Sequence, residues 1–264
     1  MICAAGRQCR VVLLFSAFAL LPFGQGAAES VPPPGHAEQL TADQLVTRIA
    51  QKNEERSSAL ESYQGRRSYS LNYVGFPASL HADMTVTMTY QAPATKVFTI
   101  VAESGNKWLI NHIFQRLLDS EREALDAENR ANTALSSKNY NFTLLSYQPA
   151  ADGCSYVLAA EPKIPNKFLF RGRVWVNTQD FAVCRIEGEP AKNPSFWIKK
   201  TDIHHDYVKI GDFWLPADNK SVSSVRLGGV ATLTIKYQDY KILQSRALNQ
   251  MGDRAVSGFT APAN

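Results

Sequence analysis

Asp202, His204 and Asp206 are the residues whose types and spacing come nearest to chemistry. Alternate positions of a strand share one face, so two carboxylates and an imidazole would project side by side, as metal ligands do. His205 points to the opposite face and cannot easily share that ion. Ligands from a single strand rarely complete a closed shell, so the row is expected to be the wet face of a sheet and no metal is assigned. His81 and His112 stand alone. No serine sits in a nucleophile elbow, no glycine-rich phosphate or dinucleotide loop interrupts the chain, and no Cys–His pair has sequence support. No catalytic residue and no cofactor are assigned, and the chain is expected to bind without covalent chemistry.

The elements that would position a binding site are mostly strands. From Phe168 to Ile242 apolar and polar residues alternate, which predicts a long antiparallel series with one face to bury. One hairpin can be registered from its residues: Phe170 to Asn177 folds back on Ala182 to Glu189 around Gln179-Asp180-Phe181. That register sets Arg173 against Glu187, Arg171 against Glu189, Trp175 against Arg185, Val174 against Ile186 and Val176 against Cys184. Earlier strands are expected over Tyr63–Tyr73, Ala82–Gln91 and Lys96–Ala102, and another over Asn139–Gln148.

Two helices are expected beside them. Thr41-Ala42-Asp43-Gln44 is a capping box with Leu40 and Leu45 as its staple, and Leu45, Val46, Ile49 and Leu60 recur near helical spacing behind it. After the turn Ser104-Gly105-Asn106, two rows at four-residue spacing, Leu109, Ile113, Leu117 and Ile110, Phe114, Leu118, predict a second helix over Lys107–Asp126. The charged stretch from Glu121 to Arg130 reads as its solvated end.

Arg7 and Arg10 precede an apolar run, Val11 to Phe23, that is too short to span a bilayer, and Gly26 and Ala28 suit cleavage before Glu29. Residues 1–28 thus read as a signal peptide and 29–40 as a Pro-rich leader; 41–242 form one domain and 243–264 a flexible tail. The mature chain is expected to be exported to the periplasm and soluble, with no transmembrane span. Loss of Arg7 and Arg10 leaves 26 basic against 24 acidic residues, so the net charge falls from +4 to +2. No basic run with interleaved aromatics suggests nucleic acid. Cys154 and Cys184 remain in an oxidising compartment. If their strands both flank Phe170–Asn177 they lie roughly 9–10 Å apart, beyond the ~7 Å limit for a bridge, so buried free thiols are favoured and the pairing stays open.

Helix, three strands, helix and a long strand series imply an α+β fold: a strongly curved antiparallel sheet, an open half-barrel, wrapped around covering helices. Several segments carry a resemblance: Asn139-Tyr140-Asn141-Phe142, Phe168 to Asn177, Arg185 to Trp197, Phe213-Trp214-Leu215-Pro216 and Leu233 to Tyr237. These resemble the outer-membrane lipoprotein-sorting protein superfamily, the LolA/LolB-like periplasmic carriers, and most closely its uncharacterised members. The resemblance implies an open half-barrel whose hollow, closed by helices, takes up lipid acyl chains. The carriers of that superfamily place an arginine before a proline at the end of an early strand, where it helps hold the lid closed; this chain has Ala92 before Pro93.

The expected function is therefore a carrier or sensor that binds an acyl chain or a lipidated protein, with an envelope protein as a further partner. The alternative is an envelope interaction module of the same fold with a filled core and no lipid cargo. The expected lining is Met84, Val86, Met88, Tyr90, Phe98, Ile100, Val174, Val176, Ile186, Leu233 and Ile235, with Leu109, Ile113 and Leu117 as lid and Phe76, beside Pro77, on the rim. The methionines suit either an adaptable cavity or an imperfect core.

Overall fold

The structure, a computed structural model, describes residues 40–193, 195–226 and 228–248. The signal peptide, the leader as far as residue 39 and the tail from residue 249 lie outside the described residues.

The first helix, α1 (Ala42–Ala59), starts where the sequence places it. Thr41 Oγ1 accepts from the Gln44 amide while Gln44 Oε1 accepts from the Thr41 amide. Its buried stripe is Leu45, Val46, Ile49, Arg56 and Ala59. The chain then enters β1 (Leu60–Val74), β2 (Leu80–Gln91) and β3 (Thr95–Gly105). A helical run follows in three parts: α2 (Lys107–Leu109), a wide π-type turn over Ile110–Phe114, and α3 (Gln115–Glu123). A further short helix, α4 (Ala127–Thr133), replaces the solvated helix end expected there. Asn106 begins the run by accepting from the Leu109 amide. Leu109, Ile110, Phe114 and Leu118 are buried, while Ile113 and Leu117 are half-buried beside them.

Seven strands complete the chain: β4 (Tyr140–Tyr147), β5 (Cys154–Pro162), β6 (Phe170–Asn177), β7 (Val183–Pro190), β8 (Ile198–Ile210), β9 (Phe213–Val225) and β10 (Val230–Ser245). All ten strands form one antiparallel sheet in the order β3-β2-β1-β10-β9-β8-β7-β6-β5-β4. It is a meander except where β10 returns to pair with β1, and β3 and β4 are left as its two edges. The architecture is α+β, a curved sheet not closed into a barrel, with helices against one face. β10 continues to Ser245, so Leu243, Gln244 and Ser245 belong to the sheet.

The β6–β7 hairpin pairs Arg171 with Glu189, Arg173 with Glu187, Val174 with Ile186 and Trp175 with Arg185. Beyond Trp175 the register shifts, and Val176 pairs with Val183 rather than Cys184. A matching shift on the other side of β6 lies between Cys154 and Tyr156. These two bulges explain why the expectation of free thiols is overturned. Cys184 drops out of the ladder, and Cys154 and Cys184 form a disulfide across the end of β6 with their Cα atoms 6.2 Å apart. Regular strand spacing would hold them too far apart; bulges re-aim them. The cross-link spans 30 residues. Replacing both cysteines by alanine is expected to lower stability by about 2–4 kcal/mol. Urea unfolding under oxidising conditions checks this, and an unchanged midpoint would contradict it.

The core divides into three clusters. One packs α1 on β4–β7 through Leu45, Val46, Ile49, Leu158, Val174, Val176 and Ile186. A second packs the π turn and α3 on β1, β2 and β10 through Tyr69, Met84, Val86, Ile110, Phe114 and Ile235. The third gathers Ala59, Tyr63, Met88, Phe213 and Leu215.

Candidate binding hollow

Strand alternation sends His205 and Tyr207 to the helix side of β8 and His204 and Asp206 to the other, as their spacing predicts. Around His205 and Tyr207 the sheet and helices leave a hollow of about 440 Å³. Its floor is Tyr140 of β4, Phe170 of β6, Val183 and Ile186 of β7 and Trp214 of β9. Asn53 and Arg56 of α1 and Thr133 and Leu135 after α4 overhang it, and Phe168 stands at one end. Tyr140 and Phe170 meet in a tilted pair with ring centres 5.6 Å apart, which fixes that wall.

Five polar groups at one side of it are already engaged with one another. Arg56 donates from Nη1 to the Asp180 carbonyl at 2.8 Å and from Nη2 to Asn53 Oδ1 at 2.7 Å. Trp214 Nε1 and Lys209 Nζ both donate to Asp180 Oδ2, at 2.8 and 2.9 Å. Burial pushes the Asp180 carboxyl up, but those two donors outweigh it and hold it below the usual carboxylate range. Burial, with His204 adding to it, lowers the His205 imidazole. Burial also pushes the phenols of Tyr140 and Tyr207 up to about 12. The walls are therefore mostly aromatic and aliphatic, with Asn53, Thr133 and the Arg56 guanidinium as polar groups, the last tied to its own neighbours. Such a space desolvates an apolar chain without stranding a charge.

A larger concavity, about 790 Å³, lies on the opposite face of the sheet over Gly172 and Gly188. It is wide open and its charges are paired: Arg171 with Glu161 and Glu189, Arg173 with Glu187, and His204 between Asp206 at 2.7 Å and Glu187 at 3.4 Å. The glycine pair is forced by close approach, because a Cβ on Gly188 would lie 2.1 Å from the Arg171 carbonyl oxygen. Lys200 of the same strand binds Asp202, while Glu187 and Arg185 of β7 engage His204 and Asp206, so the Asp202-His204-Asp206 row is spread among separate ion pairs. Among the described residues no group of three or more histidine, cysteine or acidic side chains is arranged to hold a metal.

The chain is similar in fold to several solved structures. A LolA superfamily protein from Nitrosomonas europaea matches at 12% identity and a TM-score of 0.34, over 79% of this chain and 96% of that one. An outer membrane lipoprotein-sorting protein domain from Vibrio parahaemolyticus, so described, matches at 10% identity and 0.39, over 78% and 96%. The Pseudomonas aeruginosa MucA/MucB complex matches at 8% identity and 0.24, over 75% and 99%. At scores this low the likenesses do not bear on what the hollow binds. No protein-family model and no curated protein matches the chain.

The residues expected from the sequence to line a cavity fall into separate places. Ile186 lines the hollow, and Val174 and Val176 are buried in the α1 cluster beneath it. Met84, Val86, Leu109 and Ile235 are packed in the second cluster, with Ile113, Leu117, Leu233 and Phe98 against it. Met88 is buried in the third, with Tyr90 against it. Ile100 is exposed on the edge strand β3. Tyr140, Phe170, Tyr207 and Trp214 were not singled out. Tyr207 and Trp214 flank a turn in the sequence, and only the β8–β9 register, which sets Tyr207 against Pro216 and Lys209 against Trp214, brings them to one face.

Proposed function

We propose that this protein is a non-enzymatic binding protein that takes up an acyl chain, free or carried by a lipidated protein, in the hollow between α1, α4 and strands β4–β9. The observation that carries this reading is a largely aromatic and aliphatic space of about 440 Å³ between the sheet and the helices, whose one cationic group, Arg56, is bonded to its own neighbours. That size lies within the range of about 300–1,000 Å³ usual for small-molecule sites. Each methylene buried there contributes about 0.8 kcal/mol, so a fatty chain binds by burial alone. Two features support an exported, periplasmic setting: the N-terminal segment with the pattern of a signal peptide, and a disulfide, which persists in oxidising compartments. No helix among the described residues is long and apolar enough to cross a membrane.

A second reading, an interaction module with a filled core, is favoured by one observation. Under the π turn and α3 the inner face of the sheet is packed, with Met84, Val86 and Phe114 completely or almost completely buried. On the proposed reading that half is scaffold and the cargo sits on the other half.

His205→Trp separates the two. The larger ring occupies the hollow from a position that lines it. Affinity for a fluorescent fatty acid is expected to fall at least about tenfold, with melting changed by only a few degrees. A folded variant that binds the probe as the parent does would contradict this site, and a parent that binds no probe would favour the filled-core module.

A further inference from the structure

In this meander every second connection falls at the same end of the sheet; besides the helical segment 106–139, which leaves and re-enters the sheet there, these are four short ones, residues 75–79, 163–169, 191–197 and 226–229. They are tied into one rim. The Tyr73 hydroxyl lies 2.7 Å from the Phe76 carbonyl oxygen and 2.8 Å from that of Gly228. Arg226 donates its amide to the Trp197 carbonyl and its Nε to the Phe196 carbonyl, and its guanidinium stacks 4.9 Å over the Phe196 ring. The Ala191 amide donates to the Leu169 carbonyl, which joins the third connection to the second.

This rim carries side chains that a water-facing loop does not need. Phe76 is 75% exposed, Ile164 79%, Phe196 74% and Trp197 54%, with Val74 and Val230 exposed beside them. The four connections contain Lys163, Lys167, Lys192 and Arg226 and no acidic residue, in a chain that otherwise has 24. Lys167 is engaged by Glu123 at 2.7 Å. Lys163, Lys192 and Arg226 are exposed. The apolar groups project from three separate turns, Phe196 and Trp197 together from one of them. A protein partner would need pockets spaced to match all three, whereas a bilayer surface receives them at once. Aromatic tips with lysine and arginine around them are the composition that settles at a headgroup boundary.

We propose that this rim docks on the surface of an anionic lipid bilayer, with Phe76, Ile164, Phe196 and Trp197 entering the headgroup region and Lys163, Lys192 and Arg226 meeting lipid phosphates. Phe168 belongs both to the rim's second connection and to the wall of the hollow, so the docked face is the one beside that end of the hollow. Docking does not depend on cargo.

Vesicle flotation tests it, with vesicles of phosphatidylcholine alone and of phosphatidylcholine mixed with phosphatidylglycerol. The full chain is compared with a Phe76→Ser, Phe196→Ser, Trp197→Ser variant and with a Lys163→Glu, Lys192→Glu variant. All carry the same N-terminal segment, so differences read the rim alone. The parent is expected to float with the anionic vesicles, less so as salt rises. Both variants should partition at least about tenfold more weakly while binding a fatty-acid probe as the parent does. The charge variant keeps the hydrogen bonds that tie the four connections together and loses only that from Lys163 Nζ to the Ser137 carbonyl, so it decides the matter if the triple variant is unfolded. Absence of parent binding to anionic vesicles, or equal binding by the folded variants, overturns the proposal, even if the rim then proves to bind a protein. The hollow is tested separately by His205→Trp, which should float as the parent does.

Discussion

Met88→Asp is expected to unfold the protein. Met88 is 1% exposed and packed in the cluster formed with Ala59, Tyr63, Phe213 and Leu215. A carboxylate there would be short and buried, and Arg67, which stacks on the neighbouring Phe98, is already paired with Glu121, so the chain would either strand the charge or protonate it at a large cost. Substitutions of this kind exceed about 4–5 kcal/mol, against a total of about 5–15 kcal/mol for a domain. Circular dichroism and thermal melting check it. A folded Met88→Asp protein that had lost only fatty-acid binding would mean that Met88 faces ligand, and the division into a filled half and a hollow half would be wrong.

Arg67→Met should have the second largest effect. Arg67 in β1 is 3% exposed and forms an ion pair with Glu121 of α3, to which Lys96 of β3 also donates at 3.3 Å. Its guanidinium lies 4.9 Å over the Tyr237 ring and 5.3 Å over Phe98. This cluster fastens α3 to the sheet. Removing one partner of a buried pair costs about 3–5 kcal/mol, mostly because the other charge is left behind. Here Lys96 remains to share Glu121, so the loss should lie toward the lower end, and urea unfolding measures it. The same cluster sets an acid limit. Burial raises the Glu121 carboxyl, but Arg67 and Lys96 outweigh it, and its pKa lies below the ordinary 4.5. A carboxyl lowered on folding contributes its full stabilisation above its unfolded pKa and loses it as pH falls through the folded one. Stability should therefore decline below about pH 4.5, and the decline should be shallower in Glu121→Gln. Equal acid slopes in the two proteins would remove Glu121 from this role.

Much of the sheet was legible because alternation and cross-strand charge pairing constrain strands strongly. Arg171, Arg173, Trp175 and Val174 each found the partner their residue types required. The capping box at Thr41 was legible for a similar reason, since both of its hydrogen bonds are local. Bulges were not legible. Nothing local marks the shifts beside Trp175 and Cys154, and they turned an expected thiol pair into a disulfide. Apolar residues on the inner face of a sheet look alike in sequence whether a helix packs on them or not. Met84 and Val86 lie under the π turn and are packed by it, whereas Phe170, Tyr207 and Trp214 face the space that α1 and the end of α4 line from the other side. Helix placement decides between the two, and it depends on long-range contacts such as Arg56 with Asp180 and Arg67 with Glu121.

Chemical-shift mapping of the isotopically labelled protein titrated with palmitate tests the central claim most directly. Saturable perturbations centred on Tyr140, Phe170, His205, Tyr207 and Trp214, with Met84 and Met88 unmoved, are the predicted result. Perturbations centred on Met84 and Met88 instead, or none at saturating ligand, would contradict it.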